Sequence, residues 1–234
     1  MIHESVNLSS RLMSVHNAAL LNLEDVSSKR FIDVGSDHGH LALYALIEDG
    51  FRRAVLTDIH KDPAKRSEDT MRLYGLSEKS EVHCTDGLDG IILESGDVIC
   101  MAGLGGNNII DIMSRAKDSC ADDILKTVTW VLQPQKSSDK LREFLFGNGF
   151  GIIDEICVED RGIYYVIMKA KYTGEKTDFS LAQKYFGPVV LQKASSGDEL
   201  SDVYVNRLKD RFMLARRGDE EINQLMEEME DGKN

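Results

Sequence analysis

Phe31-Ile32-Asp33-Val34-Gly35-Ser36-Asp37-His38-Gly39-His40-Leu41 decides how this chain is read. Arg30 to Val34 is short and largely apolar, as a parallel strand covered on both faces should be. Gly35 and Gly39 carry no Cβ, so the backbone there can turn sharply and come close to a ligand. From Leu41 to Ile47 apolar residues return at helical spacing. The stretch predicts a buried strand, a tight turn, and a helix whose first N–H groups point back into the turn toward polar ligand atoms.

The turn reads D-x-G-x-x-x-G-x-L. A dinucleotide fingerprint reads G-x-G-x-x-G, and its middle glycine, which brings backbone against a pyrophosphate, is missing here. An acidic residue, Asp33, stands at the strand end instead. A carboxylate there suits a cationic ligand better than a phosphate. The pattern resembles the first motif of S-adenosylmethionine (SAM) methyltransferases, whose ligand carries an ammonium and a sulfonium. The alternative is a glycine turn in any α/β domain.

Working outward, 234 residues suffice for one α/β domain with an appendage, and 42% hydrophobic content suits a packed core. No run of 18 apolar residues occurs, so no membrane span is expected. Met1 to Ser10 lacks a basic region followed by an apolar one, so no signal peptide is expected and the cytoplasm is the default location. Cys84, Cys100, Cys120 and Cys157 are far apart with no C-x-x-C pair, which predicts buried, reduced thiols without disulfide or zinc. The net charge of −12 argues against broad nucleic-acid affinity but leaves room for a local basic patch.

Before the first strand, Leu8 to Leu23 reads as a helix with Leu8, Leu12, Val15 and Ala19 on one face. Near its start Arg11 is either a solvated side chain or a phosphate or base contact over a pocket mouth. Ala54 to His60 is a second strand that includes Asp58, 23 residues after Gly35. An acidic residue at about that distance takes ribose hydroxyls in nucleotide-binding α/β folds, because a carboxylate accepts two hydrogen bonds from a diol. The other reading of Asp58 is a helix cap, although Asp62-Pro63 supplies a separate one. A helix over Asp62 to Tyr74 and a third strand over Ser80 to Cys84 lead to Thr85-Asp86-Gly87-Leu88. Asp86 is either an acceptor for an adenine amine, with the Gly87 backbone beside the ring, or part of a plain Asp-Gly turn.

A fourth strand, Asp97 to Met101, runs into Ala102-Gly103-Leu104-Gly105-Gly106, whose small residues leave room for a ligand at the carboxyl end of the sheet. A helix over Asn107 to Lys117, a fifth strand over Thr127 to Leu132 ending in Gln133-Pro134-Gln135, and a helix over Ser137 to Asn148 follow. Gly151 to Glu159 and Ile163 to Lys171 pair as a hairpin across Asp160-Arg161-Gly162. The expected fold is therefore α/β, with a mostly parallel sheet of about seven strands closed by an antiparallel hairpin.

Near Tyr172 the pattern changes, which divides the chain into residues 1–172 and a helical domain over 173–234. Leu208, Ala215, Ile222 and Met229 recur every seven residues, with Val205, Phe212 and Met226 on the same face, as in a helical hairpin or short coiled coil interrupted at Gly218 and Asp219. Arg207, Lys209, Arg211, Arg216 and Arg217 form the densest basic cluster. It is either a solvated helix face or the place where a nucleic-acid backbone lies.

Taken in order, several stretches resemble the bacterial tRNA (adenine-22-N1)-methyltransferases: Leu8 to Leu12, Asp33 to Leu41, Asp86-Gly87-Leu88, Ala102 to Gly106, Leu132-Gln133-Pro134, Leu141 to Leu145 with Gly149-Phe150, Ile163-Tyr164-Tyr165 and Phe186-Gly187-Pro188. The chain departs from that family at Gln135, where Asn is usual after Gln-Pro, and at His60, where Asn often stands. The resemblance implies a Rossmann-like domain that binds SAM, a coiled-coil-like helical domain, and tRNA as substrate, with no metal and a monomer favoured.

On that resemblance Asp33, Gly35, Ser36 and Gly39 take the methionine end of SAM, Asp58 and Ile59 the ribose, and Asp86, Gly87 and Leu88 the adenine, with Met101, Ala102 and Gly103 completing the cofactor set. Asp37 is the preferred proton or charge acceptor, its other reading being a cap on the following helix. Gln133 and Pro134 complete the catalytic set. Arg11, His38, Leu104, Arg207, Arg211, Arg216 and Arg217 are assigned to tRNA. The Ala102-Gly103-Leu104-Gly105 step favours a ring nitrogen over an exocyclic amine, since enzymes acting on amines resemble one another in a (D/N)-P-P-(Y/F) step there. A nicotinamide-dependent oxidoreductase and a non-catalytic RNA-binding protein on the same scaffold are the competing classes, the first disfavoured by the glycine spacing.

Overall fold

A computed structural model describes residues 7–215 and 219–231. Helix α1 (Ser10–Leu20) opens the described chain, its Ser9 side chain accepting the Leu12 N–H as an N-cap. Strand β1 (Arg30–Val34) is buried along its whole length. Phe31 enters one hydrophobic cluster, while Ile32 and Val34 enter the other, as period-two alternation requires. Helix α2 (His40–Tyr44) passes into a π turn over Ala45–Asp49.

Strand β2 (Arg53–Asp58), helix α3 (Lys61–Leu73), strand β3 (Ser80–Cys84) and strand β4 (Val98–Leu104) follow. Helix α4 (Gly106–Ser119), the short α5 (Asp122–Leu125), strand β5 (Thr129–Pro134) and helix α6 (Ser138–Gly147) lead to the hairpin of β6 (Phe150–Asp160) and β7 (Ile163–Tyr172). The seven strands lie in the order β3-β2-β1-β4-β5-β7-β6, parallel from β3 to β5 and antiparallel where β7 meets β5 and β6. The order reverses between β1 and β4, where open α/β sheets form a ligand crevice at their carboxyl ends.

Three expectations change here. Strands β4 and β5 run on through Ala102–Leu104 and Gln133–Pro134, which read as loop in sequence. They stay in the sheet because β4 bulges between Ala102 and Leu104 to keep its pairing with Gln133 and Pro134. Asp62 does not cap α3. His60 holds that position without a side-chain bond, and the Asp58 carboxylate accepts the His60 N–H at 3.0 Å. Cys84 is exposed because β3 is an edge strand, whereas Cys100 and Cys157 are buried thiols.

Beyond β7 come α7 (Leu181–Phe186), α8 (Pro188–Ser195), α9 (Glu199–Ala215) and α10 (Glu220–Asp231). Their apolar stripe packs into the same cluster as the sheet: Val205, Phe212, Ile222 and Met226 join Trp130, Leu132 and Phe186. A fully buried ion pair staples these helices to the sheet. Arg142 on α6 meets Glu155 on β6 at 2.8 Å. Arg142 also donates to the carbonyls of Lys184 and Tyr185, and Glu155 accepts the N–H groups of Val189 and Val190. Both termini at the α7–α8 joint thus find partners for their unpaired backbone groups. No helix among the described residues is long and apolar enough to cross a membrane.

Candidate active site

The carboxyl ends of β1, β2 and β4 surround a cavity of about 720 Å³, lined from α1 by Arg11 and from α4 by Asn108, Asp111 and Arg115. At its floor lies Asp33, 4% exposed. Its Oδ2 is buried and has no hydrogen-bond partner. Burial raises the Asp33 carboxyl from its ordinary 3.8 to about 7, the Ala42 backbone hydrogen bond opposes the rise, and the nearby Asp58 charge adds to it. An unsatisfied, buried carboxylate facing a cavity is costly unless a donor or a cation fills the place.

The glycine turn gives that place its shape. Gly35 has φ +74°, and its N–H and that of Ser36 donate to the Thr57 carbonyl at 2.8 and 3.0 Å, tying the turn to β2. Gly39 has φ +69° and holds the N-cap position of α2, where a Cβ would lie 2.8 Å from Leu56. Asp37 therefore does not cap that helix. Its carboxylate is exposed and meets Arg66 at 2.5 Å, while its N–H donates to Asp58 Oδ2 at 3.3 Å. The Ser36 hydroxyl is engaged with Ser67 at 2.9 Å, bracing the turn against α3.

Across the cavity, Gly87 has φ +59°, and a Cβ there would sit 2.5 Å from Ile112. Asp86 pairs with Arg115 at 3.2 Å, and Arg115 also binds Asp89 at 2.9 Å. Gly35, Asp37, His38, Asp58, Ile59, Asp86, Gly87, Ala102, Gly103, Leu104 and Arg11 all line the cavity, as do Asp33 and Ser36.

Other assigned residues lie elsewhere. Leu88 and Met101 point into the hydrophobic core, Leu88 because the chain turns inward after Gly87 and Met101 because strand alternation sends it to the α4 side of the sheet. Gln133 and Pro134 are buried behind the cavity wall. Gln133 Oε1 accepts from Arg11 at 2.6 Å and from the Gly103 N–H at 3.0 Å, so it joins α1 to the β4 loop. A group so placed positions its neighbours. Arg207 and Arg211 lie on α9, away from the cavity lining. Arg216 and Arg217 fall outside the described residues. His38 and His40 stack at 5.5 Å, and no cluster of three or more potential metal ligands occurs among the described residues.

Sequence reading missed the α4 contribution. Asn108, Asp111 and Arg115 are spaced one helical turn apart, a signal that places three polar side chains on one face directly after a strand-end loop. His60 lines the cavity as well, so the departure from the family pattern keeps a polar ring there.

Comparisons with known proteins find a methyltransferase domain. A methyltransferase-domain family matches residues 8–168. The Bacillus subtilis tRNA (adenine(22)-N(1))-methyltransferase is 30% identical over 139 residues, 59% of this chain and 57% of the relative, so the chain spans little more than half of that relative's length. A Mycoplasma pneumoniae protein provisionally named a tRNA methyltransferase is 30% identical over 68% of this chain and 72% of its own. The structure of Streptococcus pneumoniae Sp1610 in complex with S-adenosyl-L-methionine aligns with a TM-score of 0.76 at 24% identity, covering 96% of this chain and 97% of that one.

Proposed function

The chain belongs to the methyltransferase-domain family, and from that premise we propose that it is a tRNA (adenine-22-N1)-methyltransferase, transferring a methyl group from SAM to N1 of adenine 22 in tRNA. The observation that carries this reading is the orphaned Oδ2 of Asp33 at the floor of the cavity. It is a buried acceptor without a donor, and the ammonium of SAM is a donor of the required charge.

The rest of the cavity fits the same ligand. Gly35 and Gly87 shape the wall: a Cβ would crowd Leu104 at 3.1 Å at the first and collide with Ile112 at 2.5 Å at the second. Asp58 keeps lone pairs for a ribose diol beyond those that accept the His60 and Asp37 N–H groups. The Asp86-Gly87 backbone takes the adenine edge. When bound, SAM supplies a methyl group activated by its sulfonium.

The work left to the chain is alignment and charge. Adenine N1 carries an in-plane lone pair and no proton at neutral pH, so attack needs no base, and holding the reactants in line supplies much of the rate. N1 lies on the pairing edge, so the base must be flipped into the cavity. Asp33, Asp37, Asp58, Asp86 and Asp111 line it, against Arg11 and Arg115. That acidic wall repels phosphate, keeps the RNA backbone at the rim, and stabilises a cationic product ring. Asp37 is the carboxylate at the mouth, released for that role when Arg66 turns to a phosphate. Arg11, fixed by Gln133, and the arginines of residues 173–234 hold the tRNA body.

The test is transfer from labelled SAM to unmodified tRNA transcripts with adenine or guanine at position 22. Transfer to the adenine transcript alone, yielding 1-methyladenosine, is expected. SAM binding without transfer to any tRNA would overturn the proposal.

A further inference from the structure

The hairpin of β6 and β7 reaches farther than the sheet needs. Strand β5 pairs with β7 only from Trp130↔Ala170 to Leu132↔Met168. Pro134, at the end of β5, has no N–H with which to continue the ladder. Strand β6 nevertheless stays paired with β7 to Asp160↔Ile163. Residues 163–167 therefore stand past the β5 pairing, about 16 Å at about 3.3 Å per residue. They lie at the carboxyl end of the parallel strands, the end that holds the cavity, with Val166 and Ile167 buried and Ile163 exposed at the tip. Arg161 and Gly162 close the tip with φ of +55° and +80°, a turn that matches strand twist and keeps the extension stiff.

Two adjacent tyrosines on this extension face opposite sides. Tyr165 packs with the α1 cluster and Tyr164 with the cluster of the C-terminal helices. Each ring is half-buried and capped by an arginine. The Arg11 guanidinium, which lines the cavity, lies 5.8 Å from the Tyr165 ring centre. The Arg207 guanidinium on α9 lies 4.2 Å from that of Tyr164. Cation and ring thus alternate from the cavity rim, over the extension, to α9.

We propose that the RNA strand leading to the target base crosses this hairpin, with nucleotides flanking the base against the Arg11–Tyr165 and Tyr164–Arg207 pairs. Aromatic faces take unstacked bases of any sequence, and arginines beside them take the phosphates. A base flipped into the cavity leaves unstacked neighbours of this kind. Charge complementarity favours this track. At the tip Arg161 stands beside the acidic Glu159, which accepts the Gly162 N–H, and Asp160. The acidic α10, with Glu220, Glu227 and Glu228, packs on α7 and α9 and disfavours an RNA path along itself. The proposal rests on the tRNA methyltransferase reading and adds to it where the strand runs.

The test compares the full-length protein with Arg207→Glu, Tyr164→Ala and Tyr164→Phe. Methyl transfer is measured against tRNA concentration and salt, and SAM affinity by calorimetry. Arg207→Glu should raise the tRNA KM roughly tenfold or more and flatten its salt dependence by roughly one phosphate contact, with SAM affinity unchanged. Tyr164→Ala should raise KM at least roughly fivefold, and Tyr164→Phe, which keeps the ring, should stay near wild type. Arg207 is exposed, so its variant does not depend on core packing. An active wild type whose KM and salt slope survive Arg207→Glu and Tyr164→Ala overturns the hairpin track alone. A wild type that binds SAM and methylates no tRNA overturns the underlying reading, and the track with it.

Discussion

Asp33 makes cofactor affinity and chain stability respond to pH in opposite directions. In the ligand-free protein its carboxyl is raised from 3.8 to about 7, first by burial and further by Asp58. The folded state therefore holds the proton more tightly than the unfolded state. Stability from this group is full below 3.8 and is lost as pH rises to about 7. At about 1.4 kcal/mol per pH unit, the ionised carboxylate costs the empty fold on the order of 4 kcal/mol. A bound ammonium reverses the preference, because it needs the charged form. Affinity for SAM should then peak a little above pH 7 and fall about tenfold for each unit below it, with a proton released on binding at pH 6. The ligand's own amine, ionising near 7.7–8, stays largely protonated below about pH 7, where the Asp33 slope is read, and its loss lowers affinity again toward pH 8.

Calorimetric titration from pH 5.5 to 8, in two buffers of different ionisation enthalpy, reads both the affinity and the proton release. Asp33→Asn keeps the shape and removes the charge. In that variant the pH slope should vanish and SAM affinity should fall at least roughly a hundredfold. Its ligand-free melting temperature at pH 8 should rise, by about 2–4 °C for each kcal/mol recovered. Wild-type affinity that is flat from pH 5.5 to 8, or tight binding by Asp33→Asn, would refute the assignment of the ammonium to this carboxylate.

Three further outcomes follow from the site and its supports. Gly87→Ala places a Cβ 2.5 Å from Ile112 at φ +59°, and it should cost about 1–3 kcal/mol in urea unfolding as well as weaken SAM binding. Glu155→Gln leaves Arg142 buried without its counter-charge and sets an amide against two backbone N–H groups; a loss of about 3–5 kcal/mol is expected, and a melting temperature equal to wild type would count against the staple. Asp37→Ala should cut methyl transfer strongly while SAM affinity stays within a few-fold, and parallel loss of both would move Asp37 into the cofactor site.

What was legible in the sequence was local. The bounds of β1 and β3 were read to the residue: β1 is an apolar run closed by Gly35, and β3 is a short Ser80–Cys84 stretch closed by the turn at Asp86-Gly87. The glycine turn could be read because Gly35 and Gly39 both require positive φ. The fourth and fifth strands were read short because Ala102-Gly103 and Gln133-Pro134 look like loop, and only the neighbouring strand explains their pairing. Gln133 shows the same limit. Its type and position suggested chemistry, yet its oxygen is spent on Arg11 and Gly103, which are 122 and 30 residues away in sequence. Leu88 and Met101 were misplaced for the converse reason: they adjoin pocket residues in sequence while their side chains turn into the core.

These misplacements share a physical basis that also explains how the site works. The groups that touch the cavity are held by groups that do not. Gln133 fixes Arg11, Ser67 braces Ser36, and Thr57 anchors the Gly35 turn. Gln133 Oε1 and the Ser67 hydroxyl are spent on partners inside the fold. Asp33 differs: it lines the cavity, and its buried Oδ2 is left by the fold without a partner. A fold selected for stability alone would replace it with an apolar or amide side chain. Its retention at the switch point of the sheet is explained if a cation completes it, and the opposed effects of Asp33→Asn on stability and on binding measure that directly.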